Sequence, residues 1–504
     1  MMPQDNLIQE RIRKLNELRE RGINPFPYSY KKDSNSEELK KRFEKLAAEE
    51  KTEEKVSLAG RIMQNRNMGK AAFVHIQDEQ GRIQLYFRED DLGKEKYRLL
   101  RKVDIGDYIG IKGYIFKTKT GEVTVYIEDW EILSKSLKPL PEKHHGLKDK
   151  ELRYRQRYVD LIMDQNVKEV FKKRSLMLKY IREFMDDRGY MEVETPLLQT
   201  QYGGASARPF ITHINAWNMP MFLSISPELY LKRLIVGGFE KVYTICKNFR
   251  NEGVDQSHNP EFTMIEAYEA YTDYSGMMKL LEECYEYVAK KINGSTKVKH
   301  IIDEKEIKID FKAPWPKMTM LEAIEEYVGI DASNMSTKDL MNFCDKKSLD
   351  YDRGASWGDL ILTIFELAEE HIIQPTHICD MPKEGTPLCK RHREDERLNE
   401  QCEPIGLGME IGNMYSELND AQVQEEKFKE QVEKGRSGDE EAHPMDEDFV
   451  NALMVGMPPT GGIGWGVDRM AIFLTGVESI RDVILFPTMK PEVKEEKDKE
   501  KKKK

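Results

Sequence analysis

Apolar and polar residues alternate along this chain with two different periods. Near the N-terminus the apolar residues recur mostly every three or four positions, at Leu7, Ile8, Ile12, Leu15 and Leu18. This spacing predicts an amphipathic helix that ends before Gly22. A second, heavily charged helix is predicted from about Ser36 to Glu50. Residues 1–54 are therefore expected to form a helical N-terminal extension.

Short alternating segments replace the helical spacing after residue 55. Turn signals separate five candidate strands, which are Val56–Met63, Ala72–Gln77, Ile83–Phe87, Tyr108–Phe116 and Val123–Leu133. Five short strands within about eighty residues favour a small closed barrel, and the OB-fold is the usual nucleic-acid-binding form of such a barrel. We expect this domain over residues 55–140, followed by a linker over residues 141–149.

A large α+β domain is predicted over residues 150–491. Helical periodicity returns at Lys150, and one apolar face extends from Val167 to Arg188, after which Gly189 ends the helix. The next segment, Tyr190–Pro196, is predicted to be a strand closed by proline.

Two further segments differ from their surroundings. A less apolar interval at about 295–358 is predicted to be an insertion in the large domain. Residues 492–504 are almost entirely Lys, Glu and Asp, a composition that cannot bury a core and predicts a disordered tail. Acidic residues are mixed into this tail, which favours a solvated tail over one that contacts RNA.

Composition favours a globular enzyme without a membrane-spanning segment. The 504 residues are 39% hydrophobic and 34% charged, with a formal net charge of −11. No apolar run approaches the ~20 residues needed to cross a bilayer, and the six scattered cysteines favour reduced thiols in the cytoplasm. Because the balance is acidic, RNA contacts would need local basic clusters, with candidates at Lys40–Lys45, Arg98–Lys102 and Arg153–Arg157.

Two stretches about two hundred residues apart carry the candidate chemistry. The first is Phe249-Arg250-Asn251-Glu252, continuing to His258-Asn259-Pro260-Glu261-Phe262, and the second is Gly461-Gly462-Ile463-Gly464-Trp465-Gly466-Val467-Asp468-Arg469. Each places one arginine at the edge of an apolar or glycine-rich element. Because guanidinium pairs bidentately with phosphate oxygens, two such arginines form a clamp for a polyphosphate. Strands predicted at Lys241–Cys246 and Phe262–Tyr268 would hold the first arginine in a hairpin.

These stretches resemble motifs 2 and 3 of the class II aminoacyl-tRNA synthetases, and the resemblance extends from about Arg11 to Pro491. It implies an OB-fold domain followed by an antiparallel-sheet catalytic domain flanked by helices. It also implies that Arg250 contacts the α-phosphate of ATP and that Arg469 lies near the adenine and the γ-phosphate, as the two catalytic residues. The implied ATP-binding residues are Arg250, Glu252, His258, Asn259, Phe262, Glu410 and Arg469. Trp465 departs from the family pattern, which usually has a smaller aliphatic residue at that position.

Magnesium is implied by the use of ATP. Glu403 and Glu410 match the acidic residues that hold the ion in the family. Two carboxylates together with phosphate oxygens suit Mg²⁺, which keeps several waters and takes few protein ligands. Without the neighbouring run Gly412–Asp420, two glutamates seven positions apart would be expected to face solvent.

Glu228 indicates which amino acid the enzyme activates. Related enzymes for aspartate or asparagine usually carry glutamine at this position. Because a buried carboxylate needs a cationic partner, an acidic pocket favours a substrate with an ammonium side chain. The alternative is a salt bridge from Glu228 to a neighbouring Arg or Lys of the chain. The pattern is similar to that of the lysine-specific members of the family, whose pocket matches Gly204, Glu228, Arg250, Glu266, Tyr268, Asn413, Tyr415 and Glu417.

The resemblance implies a ligase that forms lysyl-adenylate from L-lysine and ATP. The lysyl group would then pass to the 3′ end of tRNA(Lys), and AMP and diphosphate would be released. On the barrel, Phe73 matches the residue that stacks on an anticodon base, Gln84 matches a base reader, and Arg66 is a further anticodon-binding candidate. Motif 1, around Gly189–Pro196, forms the dimer interface in the family, so a cytoplasmic homodimer without a membrane partner is expected.

Two other functions stay open at this point. The same fold could activate a different amino acid, or the chain could be a synthetase-like paralogue that modifies another protein or only binds RNA. Such paralogues often lack the barrel or an ATP arginine, and this chain keeps both. A zinc site at Cys389 and His392, with Cys379 and Cys402 nearby, is disfavoured because the outer spacings are long and irregular.

Overall fold

A computed structural model of the chain describes residues 4–141, 149–302, 304–438 and 441–492. The chain divides into two compact units, Met1–Lys148 and Asp149–Lys504. Most of the predicted linker and all of the predicted charged tail except Glu492 lie outside the described residues.

The first unit contains the predicted barrel. Its elements are α1 (Gln4–Glu20), α2 (Ser36–Arg42), β1 (Lys51–Asn67), β2 (Ala71–Gln77), β3 (Arg82–Arg88), α3 (Glu89–Leu92), α4 (Lys94–Arg98), β4 (Tyr108–Lys117) and β5 (Val123–Ser134). Strands β1 to β5 close in the order β1-β2-β3-β5-β4. The predicted strands are confirmed. Four of them are one or two residues longer than predicted, whereas β1 has 17 residues and extends well beyond the predicted Val56–Met63 at both ends. Alternate side chains such as Leu85 and Phe87 fill the interior, as the period of two requires.

The prediction of a helix from Ser36 to Glu50 was wrong in length, because α2 ends at Arg42. The amide of Glu49 donates to the carbonyl of Lys117 at 2.9 Å, and the amide of Lys117 donates to the carbonyl of Glu50 at 3.0 Å. These bonds draw the segment towards the end of β4. The backbone therefore leaves the helix early and enters β1 at Lys51.

The second unit combines helices with one large sheet. Its first half contains α5 (Lys150–Arg155), α6 (Arg157–Met163), α7 (Gln165–Asp186), β6 (Met191–Glu192), β7 (Leu198–Gln199), β8 (Ile211–Ile214), β9 (Met219–Leu223), α8 (Glu228–Val236), β10 (Lys241–Phe249), β11 (Glu261–Ala270), α9 (Tyr274–Asn293), β12 (Lys297–Ile302) and β13 (Lys305–Asp310). Its second half contains β14 (Lys317–Thr319), α10 (Met320–Val328), α11 (Thr337–Lys347), α12 (Trp357–Glu369), β15 (Thr376–Cys379), β16 (Gln401–Gly406), β17 (Met409–Glu410), β18 (Gly412–Ser416), α13 (Ala421–Arg436), α14 (Glu447–Val455), β19 (Thr460–Gly466), α15 (Val467–Thr475) and α16 (Ile480–Val483).

The large sheet has the order β14-β15-β16-β18-β19-β11-β10-β6, with β17 beside β16. The edge pairs β14–β15 and β6–β10 are parallel, and the pairs between them are antiparallel. The predicted hairpin of β10 and β11 is confirmed. The strand predicted at Tyr190–Pro196 is shorter than expected, because β6 pairs with β10 only at Met191 and Glu192 before the chain leaves the sheet.

Helices α7, α9 and α15 cover one face of this sheet. The predicted helix between Val167 and Arg188 is confirmed as α7, and its apolar residues Ile181 and Phe184 join the core. Ile265 and Ala267 of β11 point to the same core. Glu266 and Tyr268 alternate with them along the strand and therefore face the opposite side. That opposite face carries the candidate site.

The interval at about 295–358 contains the hairpin β12–β13, the edge strand β14 and helices α10 and α11. Together with α12, these helices bury a separate apolar cluster that includes Ile324, Leu340 and Ile364.

Two expectations about charge and membranes can be compared with the structure. The cluster Arg153–Arg157 is not a free basic surface, because Arg157 is buried and both Arg153 and Arg157 pair with Asp160 at 2.8 Å. Among the described residues, none of the helices has both the length and the apolar character to cross a membrane. The six cysteines are free thiols.

Candidate active site

A cavity of about 400 Å³ opens on the face of the sheet formed by β11, β18 and β19. This volume lies within the range of small-molecule sites in proteins. The predicted residues that line it are Gly204, Glu228, Arg250, Glu252, His258, Asn259, Phe262, Glu266, Tyr268, Glu410, Asn413, Tyr415 and Arg469. Folding thus brings the predicted ATP and lysine residues around one space. Glu403 and Glu417 are not among the residues that line the cavity.

Arg250 stands at the mouth of the β10–β11 hairpin. Its amide donates to the carbonyl of Pro260 at 3.0 Å, and its guanidinium lies 5.2 Å from the centre of the Phe262 ring. The Nε atom of Arg250 is buried and has no hydrogen-bond partner among the described residues. Because a buried donor without an acceptor is costly, this atom marks a place for an anionic ligand.

The loop between β10 and β11 supplies the polar mouth of the cavity. Nδ1 of His258 lies 2.9 Å from Oδ2 of Asp255, which orients the imidazole. The side-chain amide of buried Asn259 donates to the backbone carbonyl of Glu261 at 2.6 Å. Glu252 is exposed at the same mouth.

Arg469 lies in the first turn of α15, where the helix N-terminus favours anions. One of its nitrogens donates to the carbonyl of Glu410 at 2.9 Å and to Oε2 of Glu410 at 3.0 Å. The neighbouring residue Asp468 is buried and accepts from the amide of Thr263 at 2.7 Å. Arg174 of α7 pairs with the same carboxylate at 2.5 Å. Asp468 therefore ties α15 to the strand that follows Arg250.

Glu403 lies on β16 among other carboxylates. Its Oε1 accepts from the side-chain amide of Asn413 at 2.8 Å and from the side-chain amide of Gln401 at 3.2 Å. Burial, Glu410 and Glu369 raise the pKa of Glu403 to about 8. Across the described chain, no three or more His, Cys, Asp or Glu side chains are grouped to hold a metal ion. Glu403 and Glu410 would offer an ion two carboxylates, and the ligand and water would supply the other oxygens.

The cysteines considered for a zinc site have other neighbours in the described structure. Cys379 and Cys402 lie opposite each other on β15 and β16, with their sulfurs 2.8 Å apart. The Cys389 thiol is directed instead at the backbone carbonyls of Lys390 and Glu400.

Glu266 is buried at the closed end of the cavity. Its Oε1 accepts from the Ser226 hydroxyl at 2.8 Å, and its Oε2 accepts from the Tyr268 hydroxyl at 3.2 Å. Burial and the nearby Glu228 raise the pKa of Glu266 to about 8. The carboxyl group is thus oriented by neutral hydroxyls.

Glu228 begins α8 and lies beside Glu266. Its Oε1 accepts from the Tyr415 hydroxyl at 2.6 Å and lies 2.5 Å from Nζ of Lys232. Nζ of Lys232 also pairs with the carboxylate of Glu417. The alternative prediction, that Glu228 forms a salt bridge within the chain, is therefore realised.

The closed end of the cavity holds further carboxyl groups beside that salt bridge. Glu417 is fully buried, and its Oε1 has no hydrogen-bond partner in the described part of the chain. Glu228, Glu266 and Glu417 bring three carboxylates, whereas Lys232 brings one ammonium. Carboxyl groups therefore outnumber ammonium groups by three to one in this group of four residues.

Glycines make room for these side chains. A Cβ atom on Gly462 would lie 1.8 Å from Oε1 of Glu417, and one on Gly464 would lie 3.2 Å from Cγ of Glu266. Gly204 has a φ of +86° and would bring a Cβ atom to 2.9 Å from that of Glu228. The glycine-rich stretch is therefore a strand, β19, that leaves space for the acidic pocket.

The model for class II tRNA synthetases (D, K and N) matches residues 149–490, and that for the OB-fold nucleic acid binding domain matches residues 56–133. The chain is 52% identical over 491 residues to the lysine–tRNA ligase of Clostridium novyi (strain NT), covering 96% of this chain and 94% of that protein. It is 53% identical over 483 residues to that of Syntrophomonas wolfei, covering 95% and 96%. It is 51% identical over 490 residues to that of Thermoanaerobacter pseudethanolicus, covering 97% and 96%.

The chain belongs to the class II lysine–tRNA ligase family. This membership confirms the predicted resemblance, the OB-fold and the class II catalytic fold.

The predicted anticodon residues Arg66, Phe73 and Gln84 lie on β1, β2 and β3, which are neighbouring strands of the barrel. Arg66 pairs in register with Phe73, whose half-buried ring lies 4.9 Å from that of Tyr86. Gln84 is more buried than an open reader of bases would be, and its amide donates to Glu122 at 2.6 Å.

Three residues that hold the lysine–tRNA ligase site together were not predicted from the sequence. Lys232 follows Glu228 by four positions on an apolar helix, and this spacing is typical of a side-chain ion pair. Ser226 precedes Glu228 by two positions and orients Glu266. Asp468, whose bonds cross between elements, had no local signal that reveals its role.

Proposed function

We propose that the chain attaches lysine to tRNA through an ATP-dependent lysyl-adenylate. The observation that supports this most strongly is the closed end of the cavity, where three carboxyl groups lie beside the single ammonium of Lys232. Lysine would bring two ammonium groups to these carboxyl groups, whereas aspartate and asparagine would each bring one. The relatives named as lysine–tRNA ligases support the same substrate.

In the first step, the lysine carboxylate attacks the α-phosphorus of ATP and diphosphate leaves. Arg250 has a guanidinium nitrogen without an acceptor and would stabilise the charge that develops on the α-phosphate. Phe262 would stack on adenine, and Arg469 would bind at the other end of the nucleotide. No side chain has to act as a nucleophile, because orientation and charge stabilisation are sufficient for this chemistry.

We propose Glu403 and Glu410 as the protein ligands of magnesium. Burial and the charges of Glu410 and Glu369 raise the pKa of Glu403, and a divalent cation would relieve this repulsion. The ion would neutralise part of the phosphate charge of ATP when bound. Glu410 also holds Arg469, so the same carboxylate would link the ion to the arginine.

In the second step, a ribose hydroxyl at the tRNA 3′ end attacks the adenylate carbonyl, and AMP leaves. The barrel would hold the anticodon, with Phe73 stacking on a base, Gln84 contacting a base edge and Arg66 contributing positive charge. The family model for a nucleic-acid-binding OB-fold supports this division of labour.

ATP–pyrophosphate exchange with each of the twenty amino acids tests the proposal. We expect exchange that depends on lysine and magnesium, with little response to aspartate or asparagine. Better exchange with any other amino acid would reassign the substrate. Lysine-dependent exchange without transfer to tRNA would leave only the first step in place.

We also propose a cytoplasmic homodimer that assembles around motif 1. Met191 lies on the edge strand β6 and is exposed, as are Leu198 and Ile211 on the small sheet β7-β9-β8. Ile211 is 70% exposed. Exposed apolar residues beside an open sheet edge favour association with another copy of the chain.

Light scattering after size exclusion tests the dimer. Ile211→Asp is expected to shift the mass from dimer to monomer, because a charge would enter an apolar contact. Ile301→Asp is the matched control, since Ile301 is 64% exposed on β12, a different sheet. A monomeric wild-type chain, or equal effects of both variants, would contradict the proposed interface.

A further inference from the structure

Helix α8 buries a lysine directly beside two carboxylates of the proposed lysine pocket. Lys232 follows Glu228 by one helical turn, and its side chain has no exposed surface. Its Nζ lies 2.5 Å from Oε1 of Glu228 and also contacts the carboxylate of Glu417. Burial alone lowers the pKa of Lys232, but the two carboxylates together raise it, so the ammonium stays charged.

The surroundings of Lys232 fix its position. The Tyr415 hydroxyl donates to the same Glu228 oxygen at 2.6 Å. The ring centres of Tyr415 and Phe449 lie 5.5 and 5.9 Å from Nζ, within the distance at which aromatic rings attract cations. Lys232 is not among the described residues that line the cavity, whereas Glu228 is. It therefore acts through its carboxylate partners and not on the ligand directly.

Removing this ammonium would change the protonation of the pocket. Glu228, Glu266 and Glu417 would then be three buried carboxylates without a resident cation. Like charges at close range favour the uptake of a proton by one of them. A protonated carboxyl cannot pair with a ligand ammonium, and it is free to rotate towards other acceptors.

We propose that Lys232 is a positioning residue that determines specificity. Its ammonium pairs with both Glu228 and Glu417 and holds their side chains in place, so that the acidic pocket is oriented for a substrate with two ammonium groups. This inference rests on the proposed function, because it concerns how lysine is selected at the same site.

Pyrophosphate exchange by Lys232→Met tests the proposal, since methionine keeps the length and removes the charge. Truncating one partner of a buried charge pair predicts that KM for lysine rises by about 30-fold or more. We expect KM for ATP to change less than about twofold, because the arginine clamp is untouched. Between about pH 6.5 and 8.5, the slope of log KM for lysine against pH should steepen by about one, because binding must now expel an additional proton.

Discrimination against norleucine, which lacks the ε-ammonium, provides a second measurement. The ratio of kcat/KM for lysine to that for norleucine should fall in Lys232→Met. Lys427→Met is the matched control, because Lys427 is also a buried lysine but makes no ion pair among the described residues. We expect the control to leave KM, the pH slope and the discrimination unchanged.

The outcomes separate two failures. Wild-type protein without lysine-dependent exchange would refute the proposed function. An active wild type with unaltered KM, pH slope and discrimination in Lys232→Met would overturn only the role of Lys232. If Lys232→Met does not fold, the double variant Glu228→Gln/Lys232→Met decides, because it removes one charge of each sign. Recovered folding with a KM for lysine above that of Glu228→Gln alone supports the proposal, an equal KM overturns it, and continued failure to fold assigns Lys232 a structural role only.

Discussion

Individual residues of the site differ in whether their polar atoms have partners. Arg469 is held by Glu410, and Glu266 is held by two hydroxyls. In contrast, Nε of Arg250 and Oε1 of Glu417 are buried without hydrogen-bond partners among the described residues. Because such atoms are rare in folded proteins, they mark where a ligand would complete the site.

Arg250→Ala should therefore disable the first step without unfolding the protein. Removing a preorganised cation aimed at developing charge predicts a loss of about 10²–10³ in the kcat of pyrophosphate exchange. Arg436→Ala is the control, since Arg436 is an exposed arginine on α13 that pairs only with Glu433 in the described chain. A loss of less than tenfold in Arg250→Ala, or a loss of similar size in the control, would remove Arg250 from the chemistry.

The raised pKa of Glu266 predicts a pH dependence of lysine binding. Burial and Glu228 raise this pKa to about 8, so the unliganded site carries a proton there at neutral pH. An ammonium pairs with the ionised form, so KM for lysine should fall as the pH rises from about 6.5 to 8.5. Glu266→Gln should raise KM and flatten its pH dependence.

The same pKa has a consequence for stability. A carboxyl with a raised pKa binds more protons in the folded than in the unfolded state, so its contribution to stability is complete below its unfolded pKa of about 4.3. This contribution is lost as the pH rises through about 8. Thermal melting of the unliganded protein across this range should decline less steeply in Glu266→Gln than in wild type. Identical slopes would mean that Glu266 is ionised throughout.

Among the elements, strand β19 is the one whose role depends most on missing side chains. It pairs with β11 and β18, and its Gly462 and Gly464 face the acidic pocket. A Cβ atom on either glycine would enter space that Glu417, Tyr268 or Glu266 already occupies. The strand thus shapes the pocket by what it lacks.

Substituting these glycines should give graded effects. Gly462→Ala would place a Cβ atom 1.8 Å from Oε1 of Glu417, so we expect kcat/KM for lysine to fall by about 100-fold or more. Gly464→Ala meets its neighbours at 3.1 to 3.2 Å and should have a smaller effect. Gly435→Ala on α13 is the control, because its Cβ atom would make an ordinary 3.5 Å contact with Ala442. Equal kinetics of Gly462→Ala and Gly435→Ala would contradict this account.

The elements that the sequence predicted best have a strong period. Helix α7 has apolar residues at helical spacing, and the barrel strands alternate apolar and polar residues. Two apolar strands also flank the loop that contains Arg250. Strand β19 was missed because glycine provides no alternating signal. The excess length predicted for α2 reflects backbone pairing of Glu49 and Glu50 with β4, which local helical propensity cannot reveal.

The same reasoning explains the outcome for the site. Motif residues such as Arg250 and Arg469 could be named from the sequence, and the structure gathers them around one cavity. Their supports could not be named, because partners such as Asp468 and Thr263 lie about two hundred residues apart in sequence. Lys232 lies only four positions after Glu228, but its second partner, Glu417, became apparent only with the fold.

The whole molecule consists of a barrel unit and a catalytic unit, each with its own apolar core. Amino-acid activation needs only the cavity of the second unit, whereas transfer also needs the correct tRNA. Variants in the barrel should therefore separate the two activities.

Phe73→Ala tests this separation. Loss of a stacking platform predicts that kcat/KM for tRNA falls by about 10- to 100-fold, while pyrophosphate exchange changes little. Tyr28→Ala is the matched control, because Tyr28 is a fully exposed aromatic residue of the same unit. Equal losses of exchange and transfer in Phe73→Ala would contradict a role confined to tRNA.

The carboxylate of Asp468 has an evolutionary consequence. This carboxylate, which lies on the helix of Arg469, bonds to Arg174 and to Thr263, so residues from three distant parts of the sequence form one group of contacts. Exchanging only its acidic or only its basic member would strand a desolvated charge. Neutral drift at these positions should therefore proceed by paired replacements, which would keep Arg469 and the strand that follows Arg250 in the same relative position.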